Sequence, residues 1–145
     1  MADGRKLKPF VVFKGVRPVA ELMRVQGVVV AFSRNGWMNE VLTKDWVDQV
    51  WGSLNFGRRL LVWDAYKCHI MDSIKSHVHN LTNSDISIIS GGLTSHLQPA
   101  DVSWNKPFKD AYKAKYEWMV SGKKSYAAAG KVCALDKALC LQWVK

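Results

Sequence analysis

A chain of 145 residues amounts to one domain and is long enough to bury a core. With 48% hydrophobic and 23% charged residues it is neither a disordered polyelectrolyte nor a membrane protein, its apolar runs being far too short to span a bilayer. The net charge of +9 draws polyanions and makes their binding salt-dependent, although many intracellular proteins are equally basic without touching nucleic acid.

The amino-terminal stretch lacks the order of a signal peptide, since Arg5, Lys6 and Lys8 are followed only by a short apolar run. Residues 2–4 (ADG) are a turn signal, and residues 10–13 (FVVF) form a strand entered through Pro9. A polar excursion over residues 14–27 leads to a second strand at residues 28–32 (VVVAF), and Arg34, Asn35 and Gly36 turn the chain. From Thr43 a helix is expected, because Trp46, Val47, Val50, Trp51 and Leu54 recur at helical spacing. Leu60, Leu61, Val62 and Trp63 read as a strand buried on both faces, with Asp64 at its carboxyl end.

A helix is predicted over residues 72–81, with Ile70, Ile74, Val78 and Leu81 on one stripe, and a strand over residues 85–89. Residues 90–99 (SGGLTSHLQP) have loop composition. A long helix from Ser103 to Gly122 would carry Trp104, Phe108, Ala111, Tyr112 and Lys115 on one side, with Pro107 in its first turn. The tail holds a last helical pattern at residues 135–144. This alternation, without repeats or low-complexity segments, makes an α/β domain.

Two aspartates stand out. Asp64 closes a central strand and Asp101, after Pro99, opens a late helix; each can be a helix cap or a metal ligand. The 36 residues between them hold one helix and one strand, which can bring both carboxylates to one end of a sheet. Paired hard oxygen ligands suit Mg²⁺, and with a third acid such a site could clamp two ions ~3.5–4 Å apart for phosphoryl transfer. Lys106, Lys109 and Lys113, at helical spacing beyond Asp101, are either non-specific phosphate contacts or a solvated helix face. His69, His77, His79 and His96 make no metal-ligand pattern; His77 and His79 are expected at the surface, and His69 could approach Asp64. Trp46, Trp51, Trp63, Trp104 and Trp118 fall on core positions, and Trp37 is the least clear. Cys68, Cys133 and Cys140 form no CxxC pair, which suits a reducing compartment and gives no zinc signature. No P-loop, dinucleotide fingerprint or nucleophile triad is present, so no small-molecule cofactor is expected.

The stretches ADGRKLKPFVVFKG, GWMNEVLTKDW, LLVWDAYKCH and GGLTSHLQPADVSWNKPFKDAY resemble the DDE superfamily endonuclease domain of pogo- and Tigger-type transposases in the mariner superfamily. The resemblance covers nearly the whole chain and is closest to domesticated pogo-derived proteins. It implies a ribonuclease H-like mixed sheet flanked by helices, in which three acids bind two Mg²⁺ or Mn²⁺ ions for DNA strand cleavage and joining. Asp64 matches the family's second acid and Asp101 its third. The first acid belongs to a strand upstream of Met1, so the resemblance implies a single truncated domain over residues 1–145, lacking the first strand. It further implies a nuclear nucleic-acid-binding domain, non-specific for DNA and catalytically inactive, with an exposed sheet edge open to self-association. The alternatives are an endonuclease completed by another chain, or a protein-interaction module.

Overall fold

The computed structural model describes residues 4–52, 57–122 and 136–144. Two runs of β-branched and aromatic residues give β1 (Phe10–Lys14) and β2 (Val29–Ser33), which pair in parallel from Phe10 opposite Val29 to Lys14 opposite Ser33. The polar excursion between them contains a short helix, α1 (Ala20–Met23), as a parallel crossover requires. The next helix, α2 (Glu40–Trp46), begins three residues before the expected Thr43, because Asn39 caps it: its Oδ1 accepts from Leu42 N at 3.0 Å. A π-helical turn, Val47–Trp51, continues α2 and turns Val47, Val50 and Trp51 inward. Gly52 ends it, donating to Val47 O at 2.6 Å, and a Cβ there would stand 2.9 Å from that same carbonyl. Leu54, the last position of the expected stripe, lies outside the described residues.

The second half repeats the pattern. β3 (Arg59–Asp64) and β4 (Ser84–Ile89) pair in parallel, from Arg59 opposite Ser84 to Asp64 opposite Ile89, and α3 (Asp72–Leu81) crosses between them. A short helix, α4 (Thr94–Leu97), occupies the stretch expected to be loop. A π-helical turn, Ala100–Trp104, then runs into α5 (Asn105–Gly122), and α6 (Lys137–Val144) closes the chain. The wide turn lies just before Pro107, whose ring clashes with the carbonyl four residues back in a regular helix. Among the described residues no helix is long and apolar enough to cross a membrane.

Each strand pair has its own core. Leu22 and Val30 pack with Leu141 of α6 over β1 and β2, and Lys137 lies over the rings of Phe13 and Phe32 at 5.4 and 5.8 Å. On the other pair, Leu61 and Trp63 pack against Val47, Trp51, Ile74 and Val78, with Ile86 and Ile88 alongside. A polar rivet closes that core, where Trp51 Nε1 donates to Ser84 Oγ at 3.0 Å.

Three expectations need correction. β3 is buried on one face only: Leu61 and Trp63 are covered, but Leu60 and Val62 are 58% and 49% exposed, since α2 and α3 lie on the same side. Among the described residues the strands form two separate parallel pairs rather than one mixed sheet. Trp104 and Trp118 are 59% and 80% exposed instead of lying in the core, and among the described residues α5 buries no side chain. The α3 stripe holds in its middle, where Ile74 and Val78 are fully buried, while Ile70 and Leu81 at its ends are exposed.

These positions should separate cleanly in urea denaturation. Ile74→Ala, removing a fully buried side chain, is expected to lower stability by about 2–5 kcal/mol. Trp118→Ala, on an exposed helix face, is expected to change it by no more than ~0.5 kcal/mol.

Candidate metal centre

Asp64 follows the buried Trp63 and is the last residue of β3, so its carboxylate emerges where the parallel pair ends. The chain then folds back on it. Asp64 Oδ1 accepts from Tyr66 N at 3.2 Å and lies 2.7 Å from His69 Nδ1, which is also 3.3 Å from the Asp64 carbonyl. A carboxylate and a carbonyl can only accept here, so the geometry places a proton on Nδ1. The His69 ring lies flat on Trp63, with centroids 4.2 Å apart and planes within 3°, and Tyr66 meets it edge-on at 5.4 Å. Tyr66 Oη in turn donates to Met38 O at 3.0 Å, tying this turn to the segment that leads into α2. The side chains of Asp64 and His69 are 34% and 21% exposed, so the carboxylate reaches solvent while the imidazole is mostly covered. Among the described residues nothing hydrogen-bonds Asp64 Oδ2.

Beside this turn lies a cleft of ≈ 380 Å³ lined by Phe10 of β1, Met38, Thr43, Trp46, and Val62 and Trp63 of β3, together with His69. It runs between the two strand pairs. Trp63 Nε1 is buried without an acceptor among the described residues.

Asp101 sits in the π-helical turn before α5, not at a cap. It is exposed, and its Oδ1 accepts from Asn105 Nδ2 at 2.6 Å. The two aspartates therefore have separate partners, and no hydrogen bond or shared side chain links them among the described residues. Lys106, Lys109 and Lys113 are all exposed on α5, and Lys113 Nζ lies 3.7 Å from Glu117. His77 Nε2 pairs with Asp48 Oδ1 at 2.6 Å, half-covered rather than free at the surface, whereas His79 and His96 are exposed. Sequence reasoning gives His69 little weight and misses Tyr66. The only signal is the five-residue step from Asp64, which a tight turn after a strand converts into contact.

The donor chemistry suits a hard divalent ion in part. The free Oδ2 of a solvent-reaching carboxylate is the ligand that hydrated Mg²⁺ or Mn²⁺ takes, with water filling the other positions. Among the described residues no three His, Cys, Asp or Glu side chains converge on one such position. An ion bound at Asp64 would supply Lewis-acid stabilisation of a phosphoryl oxygen.

A family model described as DDE superfamily endonuclease matches residues 1–145. The chain belongs to the DDE superfamily endonucleases. Its curated relatives include a mouse protein named "Pogo transposable element with KRAB domain", 36% identical over 99% of this chain and 24% of its own length. The human protein of the same name is 35% identical over the same shares. The chain thus spans about a quarter of the length of these relatives. A protein of Cochliobolus lunatus named "MFS-type transporter clz9" is 28% identical over 82% of this chain and 14% of its own length. No solved structure matches. As a DDE domain of pogo type, the chain places Asp64 within the family's match and at the carboxyl end of a parallel strand.

The different surroundings of the two aspartates should show in stability. Asp64→Ala strips the covered His69 of its carboxylate partner and is expected to cost about 1–3 kcal/mol by urea denaturation. Asp101→Ala, with only an exposed amide partner, is expected to stay within ~0.5 kcal/mol.

Proposed function

We propose that this DDE domain is a nuclear, transposase-derived module that binds DNA without sequence preference and does not cut it on its own. The observation that carries the reading is the donor set. Asp64 and Asp101 supply carboxylates, but among the described residues no third acid joins either of them. The two-ion clamp of strand cleavage requires ligands on both ions, and a missing one removes most of the rate, each tenfold being ~1.4 kcal/mol of barrier. Asp64 and Asp101 are the positions inherited for metal binding, and a single Mg²⁺ or Mn²⁺ at Asp64 is the form this donor set supports.

DNA binding is supported by charge. The whole chain carries +9, and Lys106, Lys109 and Lys113 stand exposed at three- and four-residue steps along α5. Such a row contacts phosphates without reading bases, and non-specific attraction of this kind comes mostly from counterion release. Glu117 beside Lys113 subtracts from the row without cancelling it.

A second reading has one observation in its favour. The apolar cleft between β1 and β3 opens beside His69, next to Asp64, and leaves room for another chain to enter with a further acid. In that reading the domain is an endonuclease completed by a partner. Among the described residues each strand has one edge without a strand partner, which would also allow copies of this chain to associate.

Fluorescence anisotropy with random duplex DNA tests the leading reading. Binding should fall steeply with salt, and replacing Lys106, Lys109 and Lys113 by Gln should flatten the log–log slope by roughly 0.9 per lysine lost. Supercoiled plasmid should remain intact in Mg²⁺ or Mn²⁺. Nicking that disappears in Asp64→Ala would overturn the claim of inactivity, and binding indifferent to salt would overturn the claim of phosphate contact.

A further inference from the structure

We propose that His69 is a positioning residue for Asp64, fixing the carboxylate so that Oδ2, and not Oδ1, is the oxygen offered to a divalent cation. The inference rests on the reading of Asp64 as an ion-binding position and adds to it a residue and an orientation.

A carboxylate at a strand end swings about two side-chain torsions and can present either oxygen to solvent. Here Oδ1 is held twice, by His69 Nδ1 at 2.7 Å and by Tyr66 N at 3.2 Å. Oδ2 is held by nothing among the described residues. The imidazole is held in this arrangement by contacts on its face, its edge and its backbone. Its face lies on Trp63 with centroids 4.2 Å apart, Tyr66 closes on its edge, and His69 N donates to Tyr66 O at 2.8 Å. Trp63 is itself anchored in the core with Leu61, Ile74 and Val78. The order of constraint therefore runs from packed core to indole, from indole to imidazole, and from imidazole to carboxylate. Groups that hydrogen-bond a ligating side chain in this way fix its direction before the ion arrives, and their loss typically costs about 10–100-fold in metal affinity.

The arrangement also assigns the imidazole nitrogens. With Nδ1 committed to Asp64 Oδ1, it is Nδ1–H that does the positioning, so a replacement works only if it offers a donor at that atom. Asparagine places its amide nitrogen near Nδ1. Glutamine places it near Nε2, on the wrong side of the ring.

The test is Mn²⁺ titration of the full 145-residue chain followed by electron paramagnetic resonance of free Mn²⁺. The wild-type chain should bind one ion that Asp64→Ala abolishes. His69→Ala and His69→Gln should weaken it by about 10–100-fold, while His69→Asn should recover most of the loss. Glutamine is closer to histidine in length, so a purely space-filling role would rank the two amides the other way. Equal affinity in all three variants would overturn the inference while leaving the ion-binding reading of Asp64 intact. Equal loss in all three, asparagine included, would also overturn it, because the imidazole itself would then be required. Absence of Mn²⁺ binding in the wild-type chain would remove the ion-binding reading and the inference together. Should His69→Ala fail to fold, the asparagine–glutamine contrast decides.

Discussion

The burial of every second side chain of β3 is the constraint on which the rest of the molecule depends. Leu61 and Trp63 pack on Val47, Trp51, Ile74 and Val78, and each such side chain contributes about 1.5–3 kcal/mol by leaving water. A shift of one residue would put Leu60 and Val62 inside and turn Trp63 outward, which the core does not accommodate. The same register fixes where the strand ends, and therefore where Asp64 leaves it. Placement of the candidate site is thus a by-product of core packing.

From that point the site is built of short-range contacts. Trp63 gives one face to the core and the other to His69, His69 passes the restraint to Asp64, and Tyr66 ties the turn to Met38. Asp101 belongs to a different environment, an exposed turn where Asn105 is its only side-chain partner among the described residues. One carboxylate is tied to a residue stacked on the core, and the other only to an exposed amide. The proposed role, one ion at Asp64 and phosphate contacts along α5, asks for no more than this, whereas cleavage needs a set of acids arranged about two ions.

Much of this is legible in the sequence, because the signals are local. Residues 72–81 carry a helical period and form α3, and the apolar runs read at residues 10–13, 28–32 and 85–89 fall, to within a residue at each end, on β1, β2 and β4. Asp64 is readable as the end of a strand, and the family is carried by contiguous motifs such as GGLTSHLQPADVSWNKPFKDAY. The features that escape a reading of the sequence are set by tertiary contact. Leu60 and Val62 look like core because an apolar run does not say how many of its faces are covered, and in the structure α2 and α3 both pack on the other one. Trp104 and Trp118 have a core period but stand exposed, and α5 buries no side chain among the described residues. The early start of α2 is in principle readable from Asn39, an N-cap residue that the apolar stripe overshadows. His69 needs three dimensions: five residues of sequence separation become 2.7 Å only because the turn after Asp64 is tight.

If core packing presents one oxygen of Asp64 to a cation, as proposed, the bound ion has one place to go. A crystal structure of the chain with Mn²⁺, read by anomalous scattering, tests it most directly. The expected result is a single peak at coordination distance from Asp64 Oδ2, with His69 still hydrogen-bonded to Oδ1. A peak bridging both oxygens with the His69 contact broken, or manganese bound only away from Asp64, would contradict it.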